Sequence, residues 1–543
     1  MKKGKVVVGV GVLYFIIAIG IYCEEMKADL VNGSVAEKSE ETVSETEHTV
    51  EEETIAECDE RTDIISRRSL PDLERMEKKD QDKYVNHLQV IKKIESLRLG
   101  TEDFLYPEVS ISNIEAVIEK NYIPDNRGKK VDFRGVTSQE LQQVIDDNPK
   151  TVIDIISEQI RLTEPIVLHD DTIINGNGVR FIGEGVTYGF IAQDISGICL
   201  YNILIEGKID YGMFFWNCDN LNITQNTIKG CRQKAICIIG ITNGLKINNN
   251  EMSANQAGAL YIAGDVSQGL IENNTVINNE GNSDWMAGIV LTDASPTKRG
   301  DIWSSVFGGQ HQFSKSGDIG QSDYPHDLIL RNNIITNNAS AGIYSEGAYM
   351  CYLLNNRVSQ NDKEGISLTH GTIGFYINKN TLEYNGGRKN QSYDDLEFEL
   401  PGISLDNAAY NILENNNITG NYGGGIKMVR TAIRNLVIGN VIRDNYINKD
   451  NVSGGYGIEL GVRLDGTEDV GVDYTPDYEN IICRNVISGK HYTGIFIDEE
   501  CFINDVFDNV IMDSEVYGIE AVSLKFNSMI NNTTNCGIYN EFQ

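Results

Sequence analysis

Charged side chains occur at similar places in a short run that recurs along the second half of the chain. Each run begins with glycine and isoleucine, as in Gly402-Ile-Ser-Leu-Asp406. Paired carboxylates can act as general acid and base, and a nearby cation can keep a carboxylate ionised or bind an anionic group of a substrate. The charged residues at these places are Asp293, Glu346, His370, Asp406, Lys427, Arg430, Glu459, Arg463 and Asp498. The predicted catalytic residues among them are Glu346, His370, Asp406, Lys427, Arg430 and Glu459.

The spacing of these runs suggests roles for the central residues. If neighbouring runs stack about 4.8 Å apart, Glu346 and Asp406, two runs apart at one offset, have Cα atoms roughly 9 to 10 Å apart. This is near the upper end for an inverting acid and base pair, about 6.5 to 9.5 Å. Lys427 and Arg430 would follow one run beyond Asp406. A β-elimination stays open, with Arg430 neutralising a uronate carboxylate and Lys427 or His370 as the base.

The elements that must hold these groups repeat with a period of about two dozen residues. Twelve runs centred on an asparagine are mostly 23 or 24 residues apart. A fixed period of this length is typical of a solenoid, here one of short strands and turns. Asparagine suits such turns because it tolerates left-handed backbone geometry. The predicted series is Asn202, Asn226, Asn250, Asn274, Asn333, Asn356, Asn380, Asn417, Asn440, Asn485, Asn509 and Asn532.

Alternation along each glycine-isoleucine run predicts one inward and one outward set of side chains. In the run from Gly425, Ile426 and Met428 should face the core, and Lys427 and Val429 should face solvent. In two earlier runs the positions that correspond to these charged residues are uncharged. We assign these positions to Cys237 and Ile239 in one run and to Leu260 and Ile262 in the other. One internal ladder should contain Ile343, Ile366, Ile403, Ile426, Ile458 and Ile495.

These repeats resemble the right-handed parallel β-helix superfamily, which is pectate-lyase-like and includes polysaccharide lyases, uronate epimerases and glycoside hydrolases. The resemblance covers roughly residues 131 to 543 and implies an all-β solenoid of about twelve coils. Thr137-Ser-Gln-Glu140 predicts a capping box that opens an N-terminal capping helix, with Leu141, Val144 and Ile145 on one face. The calcium-binding aspartate cluster of classical pectate lyases is not recognisable in this sequence.

Three stretches exceed one coil and predict inserted loops beside the glycine-isoleucine strands. They lie at roughly residues 294 to 328, at 384 to 400, and around Gly457 at 444 to 454 and 464 to 478. Loops of this length in a repeat array are usually functional or disordered, so we expect them to wall a cleft. Aromatic rings stack on sugars. The predicted substrate-binding residues are Asp293, Tyr344, Asn407, Tyr410, Tyr422, Arg463 and Asp498.

The N-terminus predicts export and a tether. Three lysines precede an apolar stretch from Val6 to Cys23, so residues 1–23 are predicted to be a signal peptide or a membrane anchor. Residues 24–60 hold 14 acidic side chains and two lysines, which predicts a disordered spacer. Residues 61–130 are predicted to be partly helical, with Tyr84, Leu88, Ile91, Ile94 and Leu97 at helical spacing. Residues 131–543 are predicted to form the β-helix domain.

Charge and cysteine content narrow the classes of partner. The net charge of −33 becomes −24 for residues 61 to 543 once the spacer (−12) and the first 23 residues (+3) are removed. Such an acidic body disfavours nucleic acid. Ten cysteines in 543 residues do not suggest a disulfide framework, and no zinc-ligand spacing occurs. No cofactor or metal is predicted, although a divalent cation such as calcium stays open, and membrane contact is expected only through residues 6–23.

Two classes of function therefore remain at the level of sequence. The first is an exported, extracellular or cell-surface enzyme that cleaves or modifies a poly- or oligosaccharide as a hydrolase, transferase, lyase or epimerase. The second is a non-catalytic surface β-helix that binds a glycan or a protein. A converging acid pair in a walled cleft would favour the enzyme, whereas a flat charged stripe would favour adhesion.

Overall fold

The computed structural model describes most of the predicted solenoid. The described residues are 64, 78, 111–121, 129–281, 283–293, 324–369, 371–387, 400–429, 432–445, 455–461, 477–499, 501–522 and 527–540. The predicted signal or anchor and the predicted spacer lie outside these ranges. So do the predicted helix around Leu88 and most of each predicted insertion.

By its internal contacts the chain divides into two compact units. One comprises residues 1–70 and 108–112, and the other comprises 71–107 and 113–543. Nearly all described residues belong to the second unit, which contains the whole β-sheet structure.

Thirty-nine described strands form three parallel sheets, and each coil passes through the first, second and third sheet in turn. Two long strands, Ile173–Gln193 and Cys199–Trp216, run through all three sheets. The other strands of the first sheet are Lys130–Phe133, Val152–Ile155, Leu221–Thr224, Thr242–Asn248, Val266–Glu272, Leu328–Arg331, Tyr352–Leu354, Tyr376–Asn378, Ile412–Glu414, Leu436–Ile438, Ile481–Cys483, Asp505–Phe507 and Ser528–Ile530.

The second sheet carries shorter strands. They are Gln159–Leu162, Thr227–Lys229, Glu251–Ser253, Thr275–Ile277, Ile334–Thr336, Arg357–Ser359, Thr381–Glu383, Asn417–Thr419, Val441–Arg443, Val486–Ser488, Val510–Met512 and Thr533–Thr534.

The third sheet contains the glycine-isoleucine runs. Its strands are Ile166–Val167, Ile236–Ile239, Leu260–Ala263, Ile289–Thr292, Ile343–Glu346, Ile366–Thr369, Ile403–Asp406, Ile426–Val429, Tyr456–Gly461, Thr493–Ile497, Tyr517–Ala521 and Gly537–Asn540. With the two long strands this makes about fourteen turns, rather than the twelve predicted. The undercount arose because the first coils lack the repeated asparagine and glycine-isoleucine runs.

The predicted internal ladder of the third sheet is confirmed. Ile343 pairs in register with Ile366, and the series continues through Ile403 and Ile426 to Ile458 and then residue 495. These isoleucines are all buried in one continuous apolar core. In the strand Ile426–Val429, Met428 also faces the core as predicted. Val429 points outward but is buried, so the prediction that it faces solvent is wrong.

Asparagine ladders stack at all three corners of the coils, although two members of the predicted series are out of register. Asn380 donates its backbone N–H to Asn416 Oδ1 at 2.9 Å, so Asn416 is in the ladder and Asn417 is exposed beside it. Ile203 donates its N–H to Asn226 Oδ1 and thereby takes the place predicted for Asn202. The further ladders, which the sequence analysis did not predict, contain Asn255, Asn279, Asn338, Asn361, Asn385, Asn421 and Asn445 at one corner, and Asn411, Asn435, Asn480, Asn504 and Asn527 at the other.

Two helices precede or enter the solenoid. The helix Ser138–Asp147 begins at the capping box of Thr137 and Glu140, and Leu141 and Ile145 pack into the core. The earlier helix, Ile111–Asn121, buries two isoleucines, and its Glu115 forms an ion pair with Arg331. Among the described residues, neither helix combines the length and apolar character needed to cross a membrane. The cysteines of the described ranges are free thiols.

Candidate functional site

The outer face of the third sheet carries four of the predicted charged residues in two parallel rows. Strand pairing places Glu346, Thr369, Asp406, Val429 and Gly461 next to one another in the first row. The second row contains Tyr344, Ser367, Ser404, Lys427, Glu459 and Phe496. The structure therefore brings four predicted catalytic residues, Glu346, Asp406, Lys427 and Glu459, onto one face.

Glu346 and Asp406 lie two coils apart, with only Thr369 between them in the row. Since parallel strands are about 4.8 Å apart, their Cα atoms are about 10 Å apart, as the sequence predicted. Both side chains are largely covered, with relative exposures of 6% and 9%. Glu346 accepts a hydrogen bond of 3.1 Å from Trp285 Nε1, which fixes the direction of its carboxylate.

Trp285 is itself held from the neighbouring coils. It lies in the short 3₁₀ helix Asp284–Met286, and its carbonyl accepts a hydrogen bond from Lys234 Nζ. Lys363 Nζ contacts Asp284 at 2.6 Å. A segment anchored by two lysines therefore presents the indole N–H to Glu346.

Lys427 forms its ion pair with Glu459 rather than with Asp406. The Lys427 Nζ to Glu459 Oε1 distance is 3.0 Å, and the side chains are 29% and 13% exposed. A Cβ placed on Gly461 would lie 3.3 Å from Glu459 Oε1, so this carboxylate leans over Gly461. Gly461 belongs to the row of Asp406, two coils farther along. Asp406 thus has a carboxylate about two coils away on each side.

Asp477 is a further acidic residue of this region that the sequence analysis did not select. It is fully buried, and it accepts backbone hydrogen bonds from Ala432 at 2.7 Å and Gly461 at 3.2 Å. Burial raises the pKa of Asp477 well above its usual range; the two N–H donors oppose this shift, and the charges of Asp406 and Glu459 add to it. Asp406 and Glu459 therefore lie close enough to Asp477 to raise its pKa.

The sequence did contain a signal for Asp477. It precedes Asn480 by three residues, just as Ala432 precedes Asn435 and Ala408 precedes Asn411. At three other described members of this ladder the residue three positions earlier, Ala408, Ala432 or Cys501, is small and faces the core. The sequence analysis placed residue 477 in an insertion because it had not recognised this ladder.

The predicted substrate-binding residues are spread over different surroundings. Tyr344 and Asp293 are buried on or beside the outer face, whereas Asn407 is exposed in a left-handed turn with φ of 55°. Tyr422 is half-buried against Gly387. Asp498 is half-buried and accepts the N–H of the next residue at 2.6 Å.

Tyr410 lies at the corner beyond the third sheet and is 1% exposed. Its hydroxyl accepts a hydrogen bond of 2.6 Å from Arg434, which also pairs with the buried Glu479 at 2.7 Å. His370, Arg430 and Arg463 lie outside the described residues.

Aromatic side chains flank the charged residues on both sides. Towards the N-terminus, Tyr188, Tyr211, Phe214, Trp216 and Tyr261 form a buried cluster on the outer side of the same sheet. The matched outward residues of the strand Leu260–Ala263 are therefore residues 261 and 263; Leu260 and Ile262, which the sequence analysis chose, face the core.

Towards the C-terminus, Phe496 lies next to Glu459 and stacks on Tyr456, with ring centroids 4.6 Å apart and an angle of 13° between the planes. Both rings are half-buried, so part of each ring surface meets solvent beside the charges. Across the described ranges, no group of three or more His, Cys, Asp or Glu side chains is placed so that it could hold a metal ion.

Comparisons with protein families match two adjoining parts of the chain. Residues 166–319 match the model of a right-handed β-helix region, and residues 322–462 match that of NosD, a periplasmic copper-binding protein. No curated protein is similar enough to the chain to be matched.

Solved structures with related folds include two alginate-modifying enzymes and a phage protein. A mutant of the periplasmic alginate epimerase AlgG is 12% identical, with 80% of this chain and 90% of that chain covered and a TM-score of 0.36. The A-module of the mannuronan C-5 epimerase AlgE6 of Azotobacter vinelandii is 14% identical over 74% and 96% of the chains, with a TM-score of 0.46. Tailspike protein 3 of bacteriophage CBA120 is 12% identical over 76% and 61%, with a TM-score of 0.39. Values this low do not identify a reaction. The repeats, the parallel coils and the matched family model together show that this chain is a right-handed parallel β-helix protein.

Proposed function

We propose that this protein is an exported β-helix enzyme that hydrolyses a polysaccharide at the outer face of its third sheet. The observation that carries the proposal is that Asp406, Lys427 and Glu459 lie on three consecutive strands of this face, with Lys427 paired to Glu459 and the buried Asp477 bonded to the end of the strand that carries Glu459. Three predicted insertions adjoin these same strands in the sequence: residues 388–399, 446–454 and 462–476 lie outside the described residues, and the described chain on either side of each belongs to the coils.

Asp406 and Glu459 are the proposed acid and base. One carboxyl group would protonate the glycosidic oxygen as the bond to the anomeric carbon breaks. The other would remove a proton from the water that forms the new bond, as in inverting hydrolysis. The ion pair with Lys427 holds the carboxylate of Glu459 in place. Glu346, fixed by Trp285, is the alternative partner of Asp406 on the other side.

Charge favours a neutral sugar chain over a uronate polymer. The described residues of the two rows include Glu346, Asp406, Glu459 and Glu520, whereas Lys427 of the same rows is already paired with a carboxylate. The carboxylates of a polyuronate would be repelled there. Neutral rings can instead stack on the half-buried Phe496 and Tyr456.

Binding without catalysis is the second candidate, because Glu346 and Asp406 are less than a tenth exposed. A glycan held at the rim of the face would not reach such covered carboxylates. This candidate predicts retention of a polysaccharide without any increase in reducing ends.

The test is a panel of neutral, amino and uronate polysaccharides, with reducing ends and unsaturated uronate measured together. Reducing ends released from a neutral polymer, without unsaturated uronate, would support the proposal. Asp406→Asn should lower the rate by ~100-fold or more, the scale of a lost general acid or base. Glu383→Gln is the matched control, since Glu383 lies on the second sheet and pairs with the exposed Arg357. Unsaturated products would instead show elimination.

Export is part of the same proposal. It rests on the three lysines before the apolar stretch Val6 to Cys23, and it agrees with the periplasmic designation of the NosD family. Deletion of residues 1–23 should leave the protein inside the cell. Unchanged fractionation of that variant would contradict export through this segment.

A further inference from the structure

Asp477 occupies a core position that other coils fill with small side chains. Along the bridges from His326 to Phe502 at this corner, the other residues that directly precede a bridge are Pro325, Ala348, Thr372, Ala408, Ala432 and Cys501. A carboxylate is expensive to bury without partners. Among the described members of the series only Asp477 carries a carboxylate, which indicates a function that alanine cannot perform.

The contacts of Asp477 join two coils at the candidate site. One carboxylate oxygen accepts the N–H of Ala432, just beyond the strand that carries Lys427. The other accepts the N–H of Gly461, which ends the strand that carries Glu459. The second contact also brings together the two ends of the insertion at residues 462–476. The single side chain therefore fixes where two neighbouring strands end.

A smaller neutral group could meet the needs of the fold at this corner. In another coil Thr372 Oγ1 accepts the N–H of Gly347 at 3.1 Å and donates to a carbonyl at 2.8 Å. Fold alone therefore does not explain the carboxylate. Its hydrogen bond to Gly461, in the strand that carries Glu459, links it instead to the chemistry of the outer face.

We propose that Asp477 is a positioning residue, which holds the ends of the strands Ile426–Val429 and Tyr456–Gly461 so that Lys427 and Glu459 stand correctly beside Asp406. Asp477 is too deeply buried to touch a substrate, so it acts through its neighbours. The charged and titratable groups around it are Asp406, Glu459 and the Cys501 thiol, and Asp498 lies near that thiol. The inference rests on the proposed function of this face.

The test compares Asp477→Ala and Asp477→Thr in the full chain. Alanine should fold, because Ala408 and Ala432 occupy the same place in other coils, but the amides of Ala432 and Gly461 should exchange hydrogen at least ~10-fold faster. Reducing-end release should lose at least ~10-fold in kcat with little change in KM, and its pH profile should shift. Threonine should recover part of the amide protection and part of the rate.

Cys501→Ala is the control, because it alters the adjoining core position without removing either hydrogen bond. It should keep the exchange rates and the pH profile of the parent protein. If Asp477→Ala leaves amide exchange unchanged, or if exchange rises while kcat and the pH profile stay unchanged, the positioning role is overturned. A parent protein that cleaves no polysaccharide would overturn the proposed function, and this inference with it. The hydrogen-exchange rates of Asp477→Ala distinguish these two outcomes, because they can be measured whether or not the parent protein cleaves a polysaccharide.

Discussion

The outer face of the third sheet differs between two regions of the molecule, although the inner ladder is continuous through both. Around Tyr211 and Tyr261 the outward positions are aromatic and packed together, whereas around Asp406 and Lys427 they are charged. The inward positions hold mostly isoleucine, leucine or methionine in both regions, with Ser345 between Leu291 and Leu368 as an exception. Packing between coils therefore constrains the residue type only on the inward side of each strand. The outward residues can differ between regions, and they either pack together or provide charged groups.

The inner ladder should respond alike in both regions, with the largest losses of stability. Ile262→Asp in the aromatic region and Ile426→Asp in the charged region each bury an unpaired charge, which costs several kcal/mol. Both variants should lose their cooperative thermal transition, measured by circular dichroism. Lys427→Ala, at the outward position next to Ile426, is the control and should keep it. A stable Ile426→Asp variant would contradict the inward register.

The aromatic side chains should separate the two regions. Tyr211→Ala removes a 4% exposed ring from the aromatic cluster and should cost about 3 kcal/mol of unfolding free energy, without changing the cleavage rate. Phe496→Ala removes a half-buried ring beside Glu459 and should raise KM by roughly 5-fold, at a smaller cost in stability. Denaturant unfolding and cleavage kinetics of both variants check this contrast. If KM rose for Tyr211→Ala but not for Phe496→Ala, the sugar would bind on the aromatic region instead.

Acid should destabilise the charged end of the solenoid through His491. This residue continues an asparagine ladder: its Nε2 accepts the N–H of Asn445 at 3.3 Å. Burial lowers the pKa of His491 to about 4. The unfolded chain then binds a proton below about pH 6.5 while the folded chain does not, so stability is complete above that pH and falls from there towards pH 4.

The size of this acid effect can be measured by urea unfolding between pH 7 and 4. The loss due to His491 should be about 2 to 3 kcal/mol. His491→Gln keeps an acceptor without a titratable ring and should show a flatter pH dependence. If the unfolding free energy of His491→Gln fell with pH as steeply as that of the parent protein, His491 would not be the source of the acid effect.

Two adjacent asparagines offer the finest test of register. Asn416→Ala leaves buried backbone groups without their ladder partner, which costs about 1 to 3 kcal/mol. Asn417→Ala changes an exposed side chain and should stay within about 0.5 kcal/mol. Thermal unfolding of the two variants checks the difference. Equal losses would contradict the assigned register.

Much of the fold could be predicted from the sequence because its repeats are strict. Glycine-isoleucine runs at a constant offset determined the inner ladder, including Ile403 and Ile426, despite the long insertions between coils. The asparagine series failed where several asparagines are adjacent, as at Asn415, Asn416 and Asn417, because one-residue shifts look alike in the sequence. Only hydrogen bonds between coils distinguish these shifts.

The candidate site was less predictable because it depends on side-chain direction. The sequence located Asp406 and Glu346 in one row, but it did not predict that Lys427 pairs with Glu459. Lys427 and Glu459 lie in the second row and Asp406 lies in the first, and the two rows occupy alternate outward positions of the strands. Asp477 was missed since its position depends on a corner ladder interrupted by an insertion.

The most direct test of the central claim is the rate of polysaccharide cleavage by Asp406→Asn, measured with the unfolding free energy of the same variant. The substitution is nearly isosteric at an outward position, so stability should stay within about 1 kcal/mol. The rate should fall by at least ~100-fold. If Asp406→Asn, Glu346→Gln and Lys427→Ala all cleave at nearly the parent rate, catalysis does not occur on this face of the third sheet.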